Sequence, residues 1–145
     1  MKIIKLSTLS ISISLIAQTS FADCNTLKVF DQKTKALKAE YNITVADTPE
    51  SRARGLMFVK SLPDNHGMLF KWKHHDLRAM WMKNTYIPLD MIFMSDNNII
   101  GLVENAVPHS LIARTIKKPV NKILEINAKE ISNKDININD IAFCE

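Results

Sequence analysis

The sequence predicts a mainly β domain of the α+β class, a compact β-barrel or sandwich-like fold with a few short helices. Three observations predict it. The chain has 145 residues, 46% hydrophobic and 23% charged, which suits one folded domain. Short stretches of alternating or continuous apolar residues recur along the chain. Helical patterns are brief, and there are two of them.

The N-terminus has the pattern of a secretory signal peptide. Lys2 and Lys5 form a positive region, residues 6–17 are mostly apolar, and Ser20 and Ala22 place small residues at the cleavage-defining positions. The apolar run is too short to cross a membrane, and no later segment is long enough. We therefore expect a signal peptide over 1–22, a single domain over 23–145, and a periplasmic or secreted protein after cleavage near Ala22.

Cleavage would change the charge of the protein. The full chain has 19 Lys and Arg against 15 Asp and Glu; without Lys2 and Lys5 the balance is 17 against 15, or +2. The largest basic cluster that then remains is the pair Lys117 and Lys118. Nucleic-acid binders normally carry a denser basic patch. The sequence thus predicts no nucleic-acid partner, no membrane span and a monomer.

The two cysteines lie at opposite ends of the mature chain, Cys24 near its start and Cys144 near its end. In an oxidising compartment they would form a disulfide that joins the termini. Two separate thiols are the alternative. A metal pair is less favoured, because there is no Cys-x-x-Cys spacing and no His near either cysteine.

The first half of the domain begins with the clearest alternation. Apolar residues recur at every second position over 37–45, which predicts a half-buried strand. Thr48 and Pro49 then have the N-cap and first-turn chemistry of a short helix, which Gly55 would stop or bend near Met57. Turn-forming residues fill 63–67, the apolar run 68–70 follows, and alternation over 78–83 predicts another strand.

The second half contains the strongest strand signal. Residues 89–94 and 99–103 are apolar and are separated by the turn sequence 95–98, which predicts a β-hairpin. Residues 122–127 form another predicted strand, and 128–134 a short helix or loop. A closing strand over 141–144 would bring Cys144 back to Cys24.

Asp90 is a carboxylate within the most apolar stretch. As part of a strand it would share its face with Ile92 and Met94, so its charge needs a partner. Lys83, Arg78, Arg52 and Arg54 are candidates. Asp90 is then either a binding or acid–base group at the edge of a pocket, or a structural group that accepts backbone N–H bonds from the turn before it.

Methionine is concentrated in the middle of the chain. Six methionines lie between Met57 and Met94, together with His66, His74 and His75. Thioether sulfur suits Cu(I), and imidazole suits either copper state, so an exported copper-binding protein is one hypothesis. Methionine is also an ordinary core residue. The sequence has no Gly-rich phosphate loop and no Gly-x-Ser-x-Gly motif, and we expect no cofactor.

An ordered series of motifs extends across the domain: Arg54-Gly55-Leu56-Met57, Gly67-Met68-Leu69-Phe70, the run from Trp81 to Phe93, Glu104 to Pro108, and Ile123 to Ala128. In these motifs the sequence resembles the DUF192 family, also called UPF0127 or COG1430. The resemblance covers roughly residues 41–143. It implies a compact, mainly β domain with short helices, commonly exported in bacteria, and it implies no particular reaction.

The sequence departs from the family pattern at two turns. The family often has a Gly after the Leu-Glu-x-Asn-Ala segment and a Gly-Asp near the end, where this chain has Lys129 and Asn139-Asp140. We expect these turns to differ in detail. The two cysteines lie outside the matched core and resemble an addition of this protein.

Three functions remain open. The first is a non-enzymatic binding module for a small polar or sugar-like ligand, or for another envelope component. Its predicted groove is lined by Trp81, Lys83, Asn84 and Asp90, with Arg54 and Glu104 nearby. The second is a hydrolase that uses Asp90 as base and Lys83 as electrostatic stabiliser. The third is copper binding through Met and His.

Overall fold

Seven strands, numbered in chain order, close into a barrel in the computed structural model, which describes residues 24–145. The predicted signal peptide lies outside this range. The strands are β1 (Thr26–Phe30), β2 (Leu37–Ala46), β3 (His66–Leu77), β4 (Leu89–Ser95), β5 (Asn98–Ala106), β6 (Pro119–Asn127) and β7 (Ile141–Cys144). Their order around the barrel is β1-β2-β3-β6-β4-β5-β7. The predicted mainly β class and the barrel are confirmed.

The barrel interior is filled from every strand. Apolar side chains of all seven strands form one cluster, with Tyr41 and Leu69 among its fully buried members. The helix α2 (Glu130–Asn133) adds Ile131 to the same cluster. The Tyr41 hydroxyl donates to the Glu130 carboxylate at 3.3 Å, and burial raises the pKa of Tyr41.

A second apolar cluster lies on the outer face of β3, β4 and β6. Three segments cover it, 52–62, 78–88 and 107–118, and we call them the covering segments. Leu56, Met82 and Ile116, one from each, pack on this cluster. Residues 89–94 of β4 are consequently buried on both faces, which explains why all of them except Asp90 are apolar. A Cβ on Gly101 of β5 would lie 2.4 Å from the Ile116 side chain. The third covering segment can therefore pack on β5 only because residue 101 is glycine.

The predicted strand over 78–83 is wrong. This segment makes one isolated antiparallel bridge, Met80 to Arg114, and otherwise runs over the outer cluster. Its apolar residues alternate because one side packs on the sheet and the other faces solvent. The strand β1 was not predicted, and β3 extends well beyond the apolar run 68–70.

The first helix, α1 (Pro49–Arg54), has the predicted N-cap. The Thr48 side chain accepts from the Ser51 backbone N–H, and the Ser51 hydroxyl accepts from the Thr48 N–H, which completes a capping box. The helix ends before Met57, because Gly55 leaves helical geometry with a φ of 48°.

The ends of the domain are joined. Cys24 and Cys144 form a disulfide with a Cα–Cα distance of 5.4 Å, and β1 pairs with β7 beside it. No helix within residues 24–145 is long and apolar enough to cross a membrane.

Candidate functional site

A narrow pocket opens between the first two covering segments. The end of α1 supplies Arg54 and Met57, the second segment supplies Trp81 and Lys83, and β6 supplies Glu125. The cavity volume is about 30 Å³, roughly the room that two water molecules need. A whole sugar ring is larger than this, so the pocket would admit only the end of a ligand.

Glu125 lies at the floor of this pocket. Its neighbours on β6 alternate between the interior cluster and the outer cluster, which places the Glu125 side chain on the outer face. Met68 of β3 and Met91 of β4 are its direct cross-strand partners. The sheet therefore surrounds a carboxyl group with thioether side chains.

The carboxyl group of Glu125 is buried and unpartnered. The residue is 4% exposed, and no residue among 24–145 hydrogen bonds to its side chain. Burial raises its pKa to about 8. At neutral pH the group is then mostly protonated and presents an O–H donor to the pocket. The Glu125 carboxyl is therefore open to a hydrogen bond with a water molecule or a ligand in the pocket.

Basic side chains surround the pocket. Arg52, Arg54 and Lys83 line it, and Glu125 is the one acidic residue in its lining. The Lys83 ammonium lies 5.1 Å from the centre of the Trp81 ring, which is half exposed. With Glu125 protonated, the pocket has a positive potential and suits a ligand that carries negative charge.

Three of the six predicted site residues, Arg54, Trp81 and Lys83, therefore line one pocket. Asn84 lies beside it, with its amide nitrogen 4.0 Å from the Met57 sulfur. Glu104 is exposed on β5 and does not line this pocket.

Asp90 has a different environment. It is fully buried, and its two carboxylate oxygens accept the backbone N–H groups of Asn105 at 2.8 Å and Ile131 at 3.0 Å. The predicted shared face with Ile92 and Met94 is confirmed, since both belong to the interior cluster. Lys83 lines the outer pocket instead. Asp90 thus ties β5 and α2 to β4 by backbone hydrogen bonds.

The sequence analysis did not single out Glu125 as a site residue. A signal was present, because Glu125 is the only charged residue in the run 123–128 and a strand must place it on one of two apolar faces. The histidines proposed as copper ligands do not line the pocket, whereas Met57 and Met80 do.

Comparisons with known proteins agree on the fold. A structure from Sinorhizobium meliloti 1021, described as a candidate transcription regulator, is 32% identical with a TM-score of 0.78, and the match covers 82% of this chain and 92% of that one. A protein of unknown function from Novosphingobium aromaticivorans DSM 12444 is 31% identical with a TM-score of 0.76, over 81% and 83% of the two chains.

A comparison with curated proteins found no match. The family model of DUF192, described as "Uncharacterized ACR, COG1430", matches residues 30–142 and leaves both cysteines outside. This range contains β2 to β6, the three covering segments and Glu125. The chain belongs to the DUF192 family.

Proposed function

We propose that the protein is an exported binding module, periplasmic or secreted after cleavage near Ala22, that holds a small polar ligand by an anionic end in the Glu125 pocket. The observation that carries the proposal is the buried Glu125 carboxyl, which has no protein partner and faces a pocket lined by cations. A protonated Glu125 would donate a hydrogen bond to the anion, and Arg54 and Lys83 would balance its charge.

The volume of the pocket restricts the ligand. A cavity of about 30 Å³ accepts a carboxylate or a similar small group, while the remainder of the ligand would lie against Trp81. A sugar-like ligand fits this arrangement only if an acidic substituent enters the pocket and the ring stays outside on the indole.

NMR titration of the purified mature domain tests this proposal, with acetate as the anionic probe and glucose as the neutral one. We expect acetate at pH 6 to shift backbone signals near Glu125 and Trp81, and glucose alone to shift none. Lys83→Ala should weaken acetate binding, and Lys33→Ala, on a remote exposed turn, should leave it unchanged. Shifts confined to other surfaces would contradict the proposal.

The pH dependence of binding provides an independent test. Because the folded pKa of Glu125 is about 8, acetate affinity should fall as pH rises through 8 and the carboxyl becomes an anion. Glu125→Gln keeps a neutral hydrogen-bond donor, so it should retain acetate binding and lose this dependence near pH 8. Unchanged pH dependence in this variant would mean that another group controls it.

Copper binding is the second candidate, favoured by one observation. Met57 and Met80 line the pocket, and Met68 and Met91 flank Glu125 on the neighbouring strands. Thioether sulfurs with one carboxylate would suit Cu(I). The metal needs the ionised carboxylate, so Cu(I) affinity should rise as pH increases through 8, opposite to acetate. The hydrolase hypothesis gains no such support, because Asp90 is enclosed and away from the pocket.

A further inference from the structure

The charges of the domain are segregated to a degree that its total charge of +2 conceals. The covering segments 52–62, 78–88 and 107–118 contain eight Lys and Arg and no Asp or Glu. The remainder of residues 23–145 has nine Lys and Arg against fifteen Asp and Glu. The covering segments are therefore cationic, with Arg78 paired to Asp76 of β3 at 3.8 Å, and the rest of the domain is net acidic.

The same three segments carry most of the exposed apolar surface. Large hydrophobic residues that are exposed number ten in residues 24–145, and six of them lie on the covering segments: Phe58, Trp81, Tyr86, Val107, Leu111 and Ile112. Leu111 and Ile112 are adjacent and are 67% and 70% exposed. Two neighbouring aliphatic side chains are thus presented directly to solvent.

Backbone hydrogen bonds place these residues side by side. The 78–88 and 107–118 segments pair through Met80 with Arg114 and through Met82 with Ser110, so Trp81 lies alongside residues 111–113. The Tyr86 ring contacts the Phe58 ring at 6.1 Å. The aromatic and aliphatic residues therefore form one surface rather than scattered exposures, and we call it the covering face.

Backbone strain also lies on this face. Phe58 has a φ of 67°, an unfavourable conformation for a bulky residue. Asn84 and His109, which flank it, have φ values of 53° and 60°. Phe58 is thus held in left-handed backbone with its side chain about half exposed, as one of eleven non-glycine residues with positive φ among residues 24–145.

We propose that the covering face docks on an anionic lipid surface. Lipid explains both halves of the chemistry: the cations would meet the negative headgroups, and Leu111 and Ile112 would enter the acyl boundary. Trp81 and Tyr86 have the amphipathic rings that favour the membrane interface. A polyanion such as nucleic acid would account for the charge but would leave the exposed aliphatic pair unused.

Vesicle co-sedimentation tests this proposal without requiring a pocket ligand. The mature, disulfide-bonded domain is mixed with vesicles of phosphatidylcholine alone or with 30 mol% phosphatidylglycerol added. We expect binding to the anionic vesicles, weak binding to phosphatidylcholine, and a loss of binding as salt rises to about 0.5 M. Absence of binding to anionic vesicles at low salt would overturn the proposal.

Matched variants locate the surface. Leu111→Ser with Ile112→Ser should reduce vesicle affinity roughly tenfold or more. The control pair Leu37→Ser with Ile138→Ser alters two residues that are 52% exposed outside the covering segments and should leave affinity unchanged. Arg114→Gln with Lys117→Gln should weaken binding, and Lys33→Gln with Lys35→Gln should not. Equal losses in the test and control pairs would overturn the assignment.

Two further outcomes would assign the face to another partner. If the domain without vesicles dimerises by light scattering, and Leu111→Ser with Ile112→Ser makes it monomeric, the face belongs to a second copy. If a DNA oligonucleotide competes fully with vesicles, the charge alone is responsible. Thermal unfolding checks that each variant is folded. If the Glu125→Gln variant binds anionic vesicles as well as the wild type does, docking is independent of the pocket.

Discussion

The backbone N–H of Phe58 donates to the carbonyl of Asn84 at 2.8 Å, and both residues have left-handed backbone. This bond joins the first covering segment to the second at the edge of the Glu125 pocket. The Phe58 side chain is 53% exposed, and its ring meets the Tyr86 ring edge to face. The left-handed conformation is therefore held by this backbone hydrogen bond together with only partial burial of the ring.

Replacement of Phe58 by glycine tests this description. Left-handed backbone costs a non-glycine residue about 1–2 kcal/mol, while glycine loses roughly 1 kcal/mol more through chain entropy. Phe58→Gly should then leave the free energy of unfolding in urea within about 1 kcal/mol of wild type. Phe58→Val, which puts a β-branched residue at the same φ, should be clearly less stable. Equal losses in the two variants would contradict the strain argument.

Removal of the Asp90 carboxylate should lower the free energy of unfolding more than Phe58→Gly does. Asp90→Ala leaves the Asn105 and Ile131 N–H groups without their acceptor; the buried Ile131 donor costs about 1–3 kcal/mol and the partly exposed Asn105 donor costs less. We expect the free energy of unfolding to fall by at least about 2 kcal/mol. The control Glu104→Ala removes an exposed carboxylate and should change it by less than about 0.5 kcal/mol. A stable Asp90→Ala variant would show that water replaces the acceptor.

Asp90 also shows which features of the site could be predicted from the sequence. Period-two alternation correctly placed its side chain with Ile92, because a strand allows only two faces. The Asn105 donor lies on β5, the other arm of the predicted hairpin, but period-two alternation alone does not identify it as a partner. The Ile131 donor is 41 residues away along the chain, and only the closed fold brings α2 to β4.

The titration of Glu125 makes a prediction for stability against pH. Its pKa is about 8 in the folded protein and near its ordinary value of 4.5 when unfolded, so the folded state binds the proton more tightly. The contribution to stability is full below pH 4.5 and declines by about 1.4 kcal/mol per pH unit until the folded pKa is reached. Glu125→Gln should lack this decline, which urea unfolding between pH 5 and 8 would measure. A parallel decline in the variant would assign it to other groups.

The outer cluster explains why Glu125 and the covering face were missed. The predicted strand over 78–83 placed Trp81 and Met82 on a sheet, whereas these residues lie on a segment that covers one. The absence of acidic residues from 78–88 and 107–118 is visible in the sequence. The sequence does not show that the two segments are neighbours, because a few backbone hydrogen bonds join them outside any regular strand, such as those of Met80 with Arg114 and of Met82 with Ser110.

Reduction of the Cys24–Cys144 disulfide should destabilise the domain strongly. The bond closes a loop of 120 residues, for which the chain-entropy estimate is about 5 kcal/mol; native disulfides in small secreted domains contribute about 2–5 kcal/mol. We expect Cys24→Ser with Cys144→Ser to lower the free energy of unfolding by this amount. Dithiothreitol should lower the unfolding midpoint of the wild type and leave the variant unchanged. If dithiothreitol leaves the unfolding midpoint of the wild type unchanged, the pairing of β1 with β7 is enough to hold the two ends of the domain together without the disulfide.

The departures from the family pattern lead to the last prediction. Lys129 and Asn139 occupy positions where the family often has glycine, and they have φ values of 73° and 79°. Both residues thus adopt left-handed backbone, which glycine accepts without a Cβ penalty. Asn tolerates this conformation through its short polar side chain, whereas Lys does not.

Lys129→Gly should therefore raise the free energy of unfolding by up to about 1 kcal/mol, because relief of the left-handed strain exceeds the added chain entropy. Asn139→Gly should raise the free energy of unfolding by a smaller amount. Lys129→Ala separates the causes: it removes the charge and the long side chain but keeps the Cβ that creates the strain, so it should not stabilise. If Lys129→Ala and Lys129→Gly raise stability equally in urea unfolding, the lysine side chain and not its backbone conformation is the source of the cost.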